Sequence, residues 1–361
     1  MGLRFPEDLE AWQKWQLTSK PERRVKEALK GLPNLVPAAR GGHKGNTTSA
    51  QPLTGILHTR GQNPTLLVAL DSTSPTSLKS LVRPLKFMED TSVAVWAPDD
   101  VSELLPGTGW TIQAHDEDGL AAELPHLKAV MALGHYMAWG ASAFTLSQRT
   151  GAAFITVQHG LHTPYAPPLA PGTHLLAFSR ADADFWISGR TDVTFDVVGS
   201  QLFWEAAQNP RLEEGAAEYP PIFLGQMHGA ELPRASFART SIKFTLDNKA
   251  IYRPHPSEID RLSRLTHTLM GKLGVEIDRS QHPLNQVNHP VVSIFSTGVL
   301  EAALRGVPAW VYHTNPPAWL TEFWERYGMN QWGSEPTPAP QVPEKEPARQ
   351  IAEYLTRLLE N

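Results

Sequence analysis

Cysteine is absent from the 361 residues. That absence excludes a disulfide framework, a thiolate metal site and a cysteine nucleophile. No run of about eighteen apolar residues occurs, so no transmembrane helix is expected. Positive charge is not in excess: 32 Lys and Arg face 37 Asp and Glu, a net charge of −5. A chain without a basic field does not suit a large nucleic-acid footprint. Neither G-x-x-x-x-G-K-[ST] nor H-E-x-x-H is found, and His282 and His289 stand too far from other ligands to argue for a metal. The opening stretch carries acids where a signal peptide needs an apolar run. Pro6 stands where a myristoylation motif needs Ser or Thr. The expected location is cytoplasmic, with peripheral contact at the inner membrane face as an extension of that expectation.

The chain does have material for a globular core: 41% hydrophobic and 19% charged residues. Its length favours two domains. Residues 7–30 read as a mostly helical N-terminal segment, with Leu9, Trp12 and Trp15 at helical spacing. Its basic cluster (Lys20, Arg23, Arg24, Lys26 and Lys30) reads as a solvated helix face or as a weak patch for an anionic surface. From about residue 64, short apolar runs alternate with helical segments. The runs are Thr65–Asp71, Ser92–Pro98, Trp110–His115, Leu127–Leu133 and Phe154–Gly160. Continuous apolar strands separated by helices indicate a parallel sheet covered on both faces.

Between residues 162 and 172 five positions are Pro or Gly, which stiffens the chain and excludes a regular helix. A domain boundary is expected there. The pattern then restarts with His174–Phe178, Thr194–Gly199, Pro221–Gly225, Ala250–Pro256, Val291–Phe295 and Val307–Tyr312 as strands. Pro347 to Glu360 reads as a terminal amphipathic helix with Pro in its first turn. The expected division is an N-terminal helical segment at 1–34, one doubly wound α/β domain at 35–170 and a second at 171–361. Ligands of such sheets bind beyond the carboxyl ends of the strands.

Several polar residues fall at those ends. Ser296-Thr297-Gly298 follows a buried strand and opens a helix, with Glu301 one turn further on. Hydroxyls and first-turn N–H groups there suit an anion, although Ser and Thr also cap helices that bind nothing. Arg253-Pro254-His255-Pro256 holds a cation and an imidazole at a proline-restricted strand end, which suits a diphosphate clamp. Gln158-His159-Gly160 ends another strand with a histidine able to take a proton from a hydroxyl. Gly134-His135-Tyr136 offers a second such histidine. The acidic turn Asp116–Gly119 and the glycine-rich Arg40–Gly45 carry less weight. Trp319, Trp324 and Trp332 read as packing residues first and as a carbohydrate surface second.

Taken in order, Gln158-His159-Gly160, Arg253-Pro254-His255-Pro256 and Ser296 to Pro308 (STGVLEAALRGVP) resemble the GT-B glycosyltransferase superfamily. The nearest branch holds CDP-glycerol glycerophosphotransferases, polysialyltransferases and capsule-polymer transferases. Val197-Val198-Gly199-Ser200 resembles the turn of that branch, with Ser200 and Gln201 in place of the usual continuation into Pro. The resemblance implies two Rossmann-like domains facing a cleft. It implies a metal-independent transferase with no cofactor, using a CDP/CMP- or UDP-type donor and a cell-envelope carbohydrate or polyol acceptor. His255 and Arg253 would stabilise the donor phosphate. Ser296, Thr297 and Gly298 would hold phosphate, and Glu301 the ribose. His159 would be the base for the acceptor hydroxyl, with Gln158 and His135 on the acceptor side. A nucleotide-sugar 2-epimerase on the same scaffold, and a non-catalytic member of an envelope-assembly complex, stay open beside it. The sequence leaves the oligomeric state open.

Overall fold

The computed structural model describes residues 2–19, 52–208, 219–280 and 288–360. The basic cluster at 20–30, the glycine-rich stretch at 40–45 and His282 lie outside the described residues. After helix α1 (Leu9–Ser19), the first unit is an eight-stranded sheet. Its strands are β1 (Thr54–Arg60), β2 (Leu66–Ala69), β3 (Val93–Ala97), β4 (Trp110–Asp116), β5 (Ala129–Ala132), β6 (Ala153–Val157), β7 (His174–Ala177) and β8 (Thr194–Val197). Their spatial order is β4-β1-β3-β2-β5-β6-β7-β8. From β3 to β8 the pairings are parallel, and β1 runs antiparallel to both β3 and β4. Strands β2, β3 and β5 are buried along their whole length, as their unbroken apolar runs require.

Helices α2 (Ala138–Thr150) and α3 (Arg180–Ile187) follow β5 and β7, and α4 (Gln201–Gln208) leads away from β8. The second unit has strands β9 (Ile222–Leu224), β10 (Ile251–Arg253), β11 (Val291–Ser293) and β12 (Ala309–Val311). All are parallel, in the order β10-β9-β11-β12. Its helices are α5 (Arg234–Asp247), α6 (Arg261–Lys272), α7 (Gly298–Leu304) and α8 (Ala318–Arg326). Two sheets of this kind make a mixed α/β architecture with GT-B-like Rossmann units, as expected.

The boundary expected at residue 170 does not divide the sheets. β7 and β8 pair with β6 in the first sheet, and the second begins at β9. The proline-rich stretch is the β6–β7 connection. It is held in place by side chains that reach its carbonyls: Trp186 Nε1 to Pro167 O (2.8 Å), Arg190 to Leu169 O (2.6 Å) and Trp12 Nε1 to Tyr165 O (2.8 Å). Prolines free carbonyls from strand pairing, and these donors satisfy them. The last helix, α9 (Pro347–Glu360), also returns to the first unit. Its Ile351, Ala352 and Leu355 share a core with Leu66, Val68 and Val95. Gly199 in the turn after β8 has φ +83°, and a Cβ there would sit 2.7 Å from Pro343 on the segment leading to α9. Only glycine fits both demands.

Candidate functional site

The carboxyl ends of β6, β9, β10 and β11 open onto one cleft of about 890 Å³ between the two sheets. The first unit supplies His159 to Thr163, Tyr165 and Trp186. The second supplies Gln226, His228, Glu231, His255, Phe295, Ser296 and Thr297. Helix α1 closes one side with Trp12, Gln13, Gln16 and Leu17. Trp12 and Trp15 lie on that helix at the expected spacing, and Trp15 stacks on Tyr165 with centroids 4.7 Å apart.

The second-unit wall is built around Glu258. Only 4% exposed, it accepts the backbone N–H of Met227 (2.9 Å) and the hydroxyl of Tyr252 (2.8 Å). Its carboxylate also meets His267 Nε2 at 2.9 Å. One buried carboxylate thus ties the loop after β9 to the loop after β10. The result is a stacked pair: the rings of His228 and His255 lie 3.9 Å apart at 22°. His255 Nδ1 accepts from the backbone N–H of Ser257 (3.1 Å), so the neutral ring carries its proton on Nε2, where it can donate. Burial lowers the pKa of His255, and Glu258 opposes that shift. Glu258 does not cap the next helix. Asp260 does, accepting from Ser263 N at 2.9 Å. Gln226 Oε1 accepts from Phe295 N (3.0 Å) and so fixes the third loop of the wall to the first.

Opposite stands His159. Its Nδ1 is buried without a hydrogen-bond partner among the described residues, and desolvation pushes its pKa down to about 4. The imidazole is therefore neutral near pH 7 and free to accept a proton. An anionic ligand in the cleft would raise its basicity. Its neighbour His162 is buried against Trp186, ring centroids 3.9 Å apart.

The other expected site residues are placed differently. Gln158 is fully buried and structural: its amide donates to Gly160 O (2.9 Å) and Asp182 Oδ1 (3.1 Å), and its Oε1 accepts from Phe178 N (2.7 Å). It shapes the His159 loop from behind and does not face the cleft. His135 packs edge-on against Phe144 and is not part of the cleft lining. Burial, with Arg190 nearby, lowers its pKa to about 4. Arg253 forms an ion pair with Asp278 (3.3 Å) and also does not line the cleft. Ser296 and Thr297 do line it. The N–H of Gly298 is already accepted by Ser296 Oγ (3.1 Å) and the Thr297 hydroxyl bonds to Glu301, so among the side-chain hydroxyls it is that of Ser296 that stays free to donate to an anion. Glu301 lies outside the lining and bonds back to Thr297. Desolvation raises its pKa, while Lys79, Thr297 and Arg305 oppose that rise. The ribose role expected of it has no geometric support.

His228 and Glu231 are cleft residues that the sequence reading passed over. The signal was present but faint: Gly225 and Gly229 bracket His228 directly after a three-residue strand. Among the described residues no group of three His, Asp or Glu is arranged to hold a metal ion. No helix among them is long and apolar enough to cross a membrane.

No protein-family model matches the chain, and no curated protein matches it. Solved structures do. The UDP-GlcNAc 2-epimerase of Methanocaldococcus jannaschii, in complex with UDP-GlcNAc and UDP, superposes with a TM-score of 0.52 at 12% identity. The match covers 81% of this chain and 99% of that one. A glycosyltransferase from Rickettsia africae has a TM-score of 0.46 at 10% identity, over 83% of this chain and 94% of that one. Anabaena HepE in complex with UDP-glucose has a TM-score of 0.44 at 13% identity, over 82% and 89%. At 12% identity the likeness to the epimerase shows the two-unit fold alone.

Proposed function

We propose that this chain is a GT-B-type transferase. It moves a glycosyl or polyol-phosphate group from a nucleotide-activated donor to a carbohydrate or polyol acceptor of the cell envelope. One observation carries the reading. His159 from one sheet, and His255, His228, Ser296 and Thr297 from the other, face a single cleft large enough for a nucleotide-activated donor.

In this reading the donor phosphate lies on the second-unit wall. The Nε2–H of His255 and the hydroxyl of Ser296 donate to it, and their bonds strengthen as negative charge develops, while Thr297 lines the cleft with its hydroxyl held by Glu301. The acceptor oxygen enters from the His159 side. It forms the new bond as its proton passes to His159, and the nucleotide phosphate leaves with the electron pair of the bond that breaks. Neutral His159 is in the required state before reaction. Arg253, paired to Asp278, acts at a distance through the shape of the β10 loop.

The 2-epimerase alternative calls for more acid in the cleft. Glu231 is the acidic residue in its described lining, which does not favour that chemistry. The test is product analysis with CDP- and UDP-activated donors, with and without acceptors. Transfer that depends on an acceptor supports the proposal. Epimer formation without an acceptor, or no turnover with any donor, overturns it.

A further inference from the structure

Helix α6 turns its apolar side outward. Ile259, just before it, is 69% exposed, and Leu262, Leu265 (66%), Leu269 and Leu273 continue the row. Their spacings of three, three, four and four residues place them on one stripe of the helix. The side turned to the core is thin, with Ser263 and Met270 as its buried residues. The other exposed large apolar side chains among the described residues are scattered singly over both units. A contiguous exposed row of five needs a cover.

Charge indicates which cover. Arg261 and Lys272 lie along one edge of this stripe, and residues 261–273 contain no Asp or Glu, in a chain whose net charge is −5. Asp260, at the helix start, is held by Arg234 at 2.7 Å. A second copy docked on this face through a two-fold axis would set the same cations against one another. An anionic lipid surface meets both the leucines and the cations.

We propose that the outer face of α6 docks on an anionic membrane surface. Leu265, Leu269 and Leu273 enter the boundary between headgroups and acyl chains, and Arg261 and Lys272 meet the lipid phosphates. Within the row, Leu262 lines a second cavity of about 740 Å³ that shares Tyr165, His228 and Glu231 with the cleft. Docking would therefore bring the lipid surface to the mouth of the candidate site. The proposal does not depend on the transferase reading, because vesicle binding needs no turnover.

Flotation of the full chain with phosphatidylcholine vesicles, with and without phosphatidylglycerol, tests it. The protein should float with the anionic vesicles and remain behind with the neutral ones. The double variant L265E/L269E should lose about tenfold or more in partitioning while keeping its circular dichroism and melting temperature. R261Q/K272Q should lose about fivefold per cation, the equivalent of ~1 kcal/mol each. Absence of anionic-vesicle binding, or binding unchanged in L265E/L269E, overturns the proposal. So does a dimer that L265E/L269E converts to monomer, which would assign the face to a second copy.

Discussion

Replacing Tyr327 with Phe removes a single oxygen at the point where the two units meet behind the His159 loop. That hydroxyl donates to Asp182 Oδ1 at 2.6 Å and accepts the backbone N–H of His162 at 2.9 Å. Asp182, 3% exposed, also receives Gln158 Nε2 (3.1 Å) and Ser179 Oγ (2.6 Å). Burial and the Asp182 carboxylate push the Tyr327 pKa strongly up, so the hydroxyl stays a donor at any working pH. A hydrogen bond to a charged group contributes about 1.5–3 kcal/mol, and stranding the His162 N–H costs about 1–3 kcal/mol. Asp182 keeps two of its partners, so a net loss of about 3 kcal/mol is expected. Urea unfolding followed by tryptophan fluorescence should show a lower midpoint at unchanged slope. A cycle with Asp182→Asn should give a coupling of about 1–3 kcal/mol. A Tyr327→Phe cost under about 0.5 kcal/mol, or strictly additive variants, would refute the reasoning.

Stability should fall as pH drops from about 6.5 toward 4. His135 and His159 have folded pKa values of about 4, so the unfolded chain binds the proton first. Each should contribute about 2 kcal/mol of loss near pH 5, and His135→Gln should flatten that slope; an unchanged slope would contradict the burial argument. His255→Ala should lower turnover about tenfold or more with the fold intact, and unchanged turnover would reject a role in phosphate stabilisation. Gly140→Ala would place a Cβ 2.1 Å from Gly134 O, so thermal unfolding should show a loss of about 2–3 kcal/mol, and a neutral outcome would contradict that close approach.

Much of the fold could be read from the sequence, because parallel strands buried on both faces leave unbroken apolar runs such as those of β2 and β3. Strand β1 was missed. Its TGILHTR sequence mixes polar residues into an antiparallel strand, and His58 and Arg60 within it are buried against expectation. The proline-rich connection imitated a linker, since stiffness alone does not tell a loop inside a sheet from one between sheets. At the site, His159, His255, Ser296 and Thr297 reached the cleft because strand ends place them there. Gln158 and Glu301 shared those positions in sequence but turned inward to hydrogen-bond partners that lie far away along the chain or one helical turn away. His228 owes its place to Glu258 pulling two loops together, a tertiary bond that no local pattern encodes.

The most direct measurement is calorimetric titration of the full chain with CDP, CMP, UDP, GDP and ADP, repeated on His255→Ala and His228→Ala. At least one pyrimidine nucleotide should bind; His255→Ala should weaken it by about tenfold, the scale of losing a hydrogen bond to a charged phosphate, and His228→Ala should weaken it by removing the ring that His255 stacks on. If none of the five binds, or if both variants bind as the parent does, the stacked histidines do not form a phosphate wall and the cleft is not a nucleotide site.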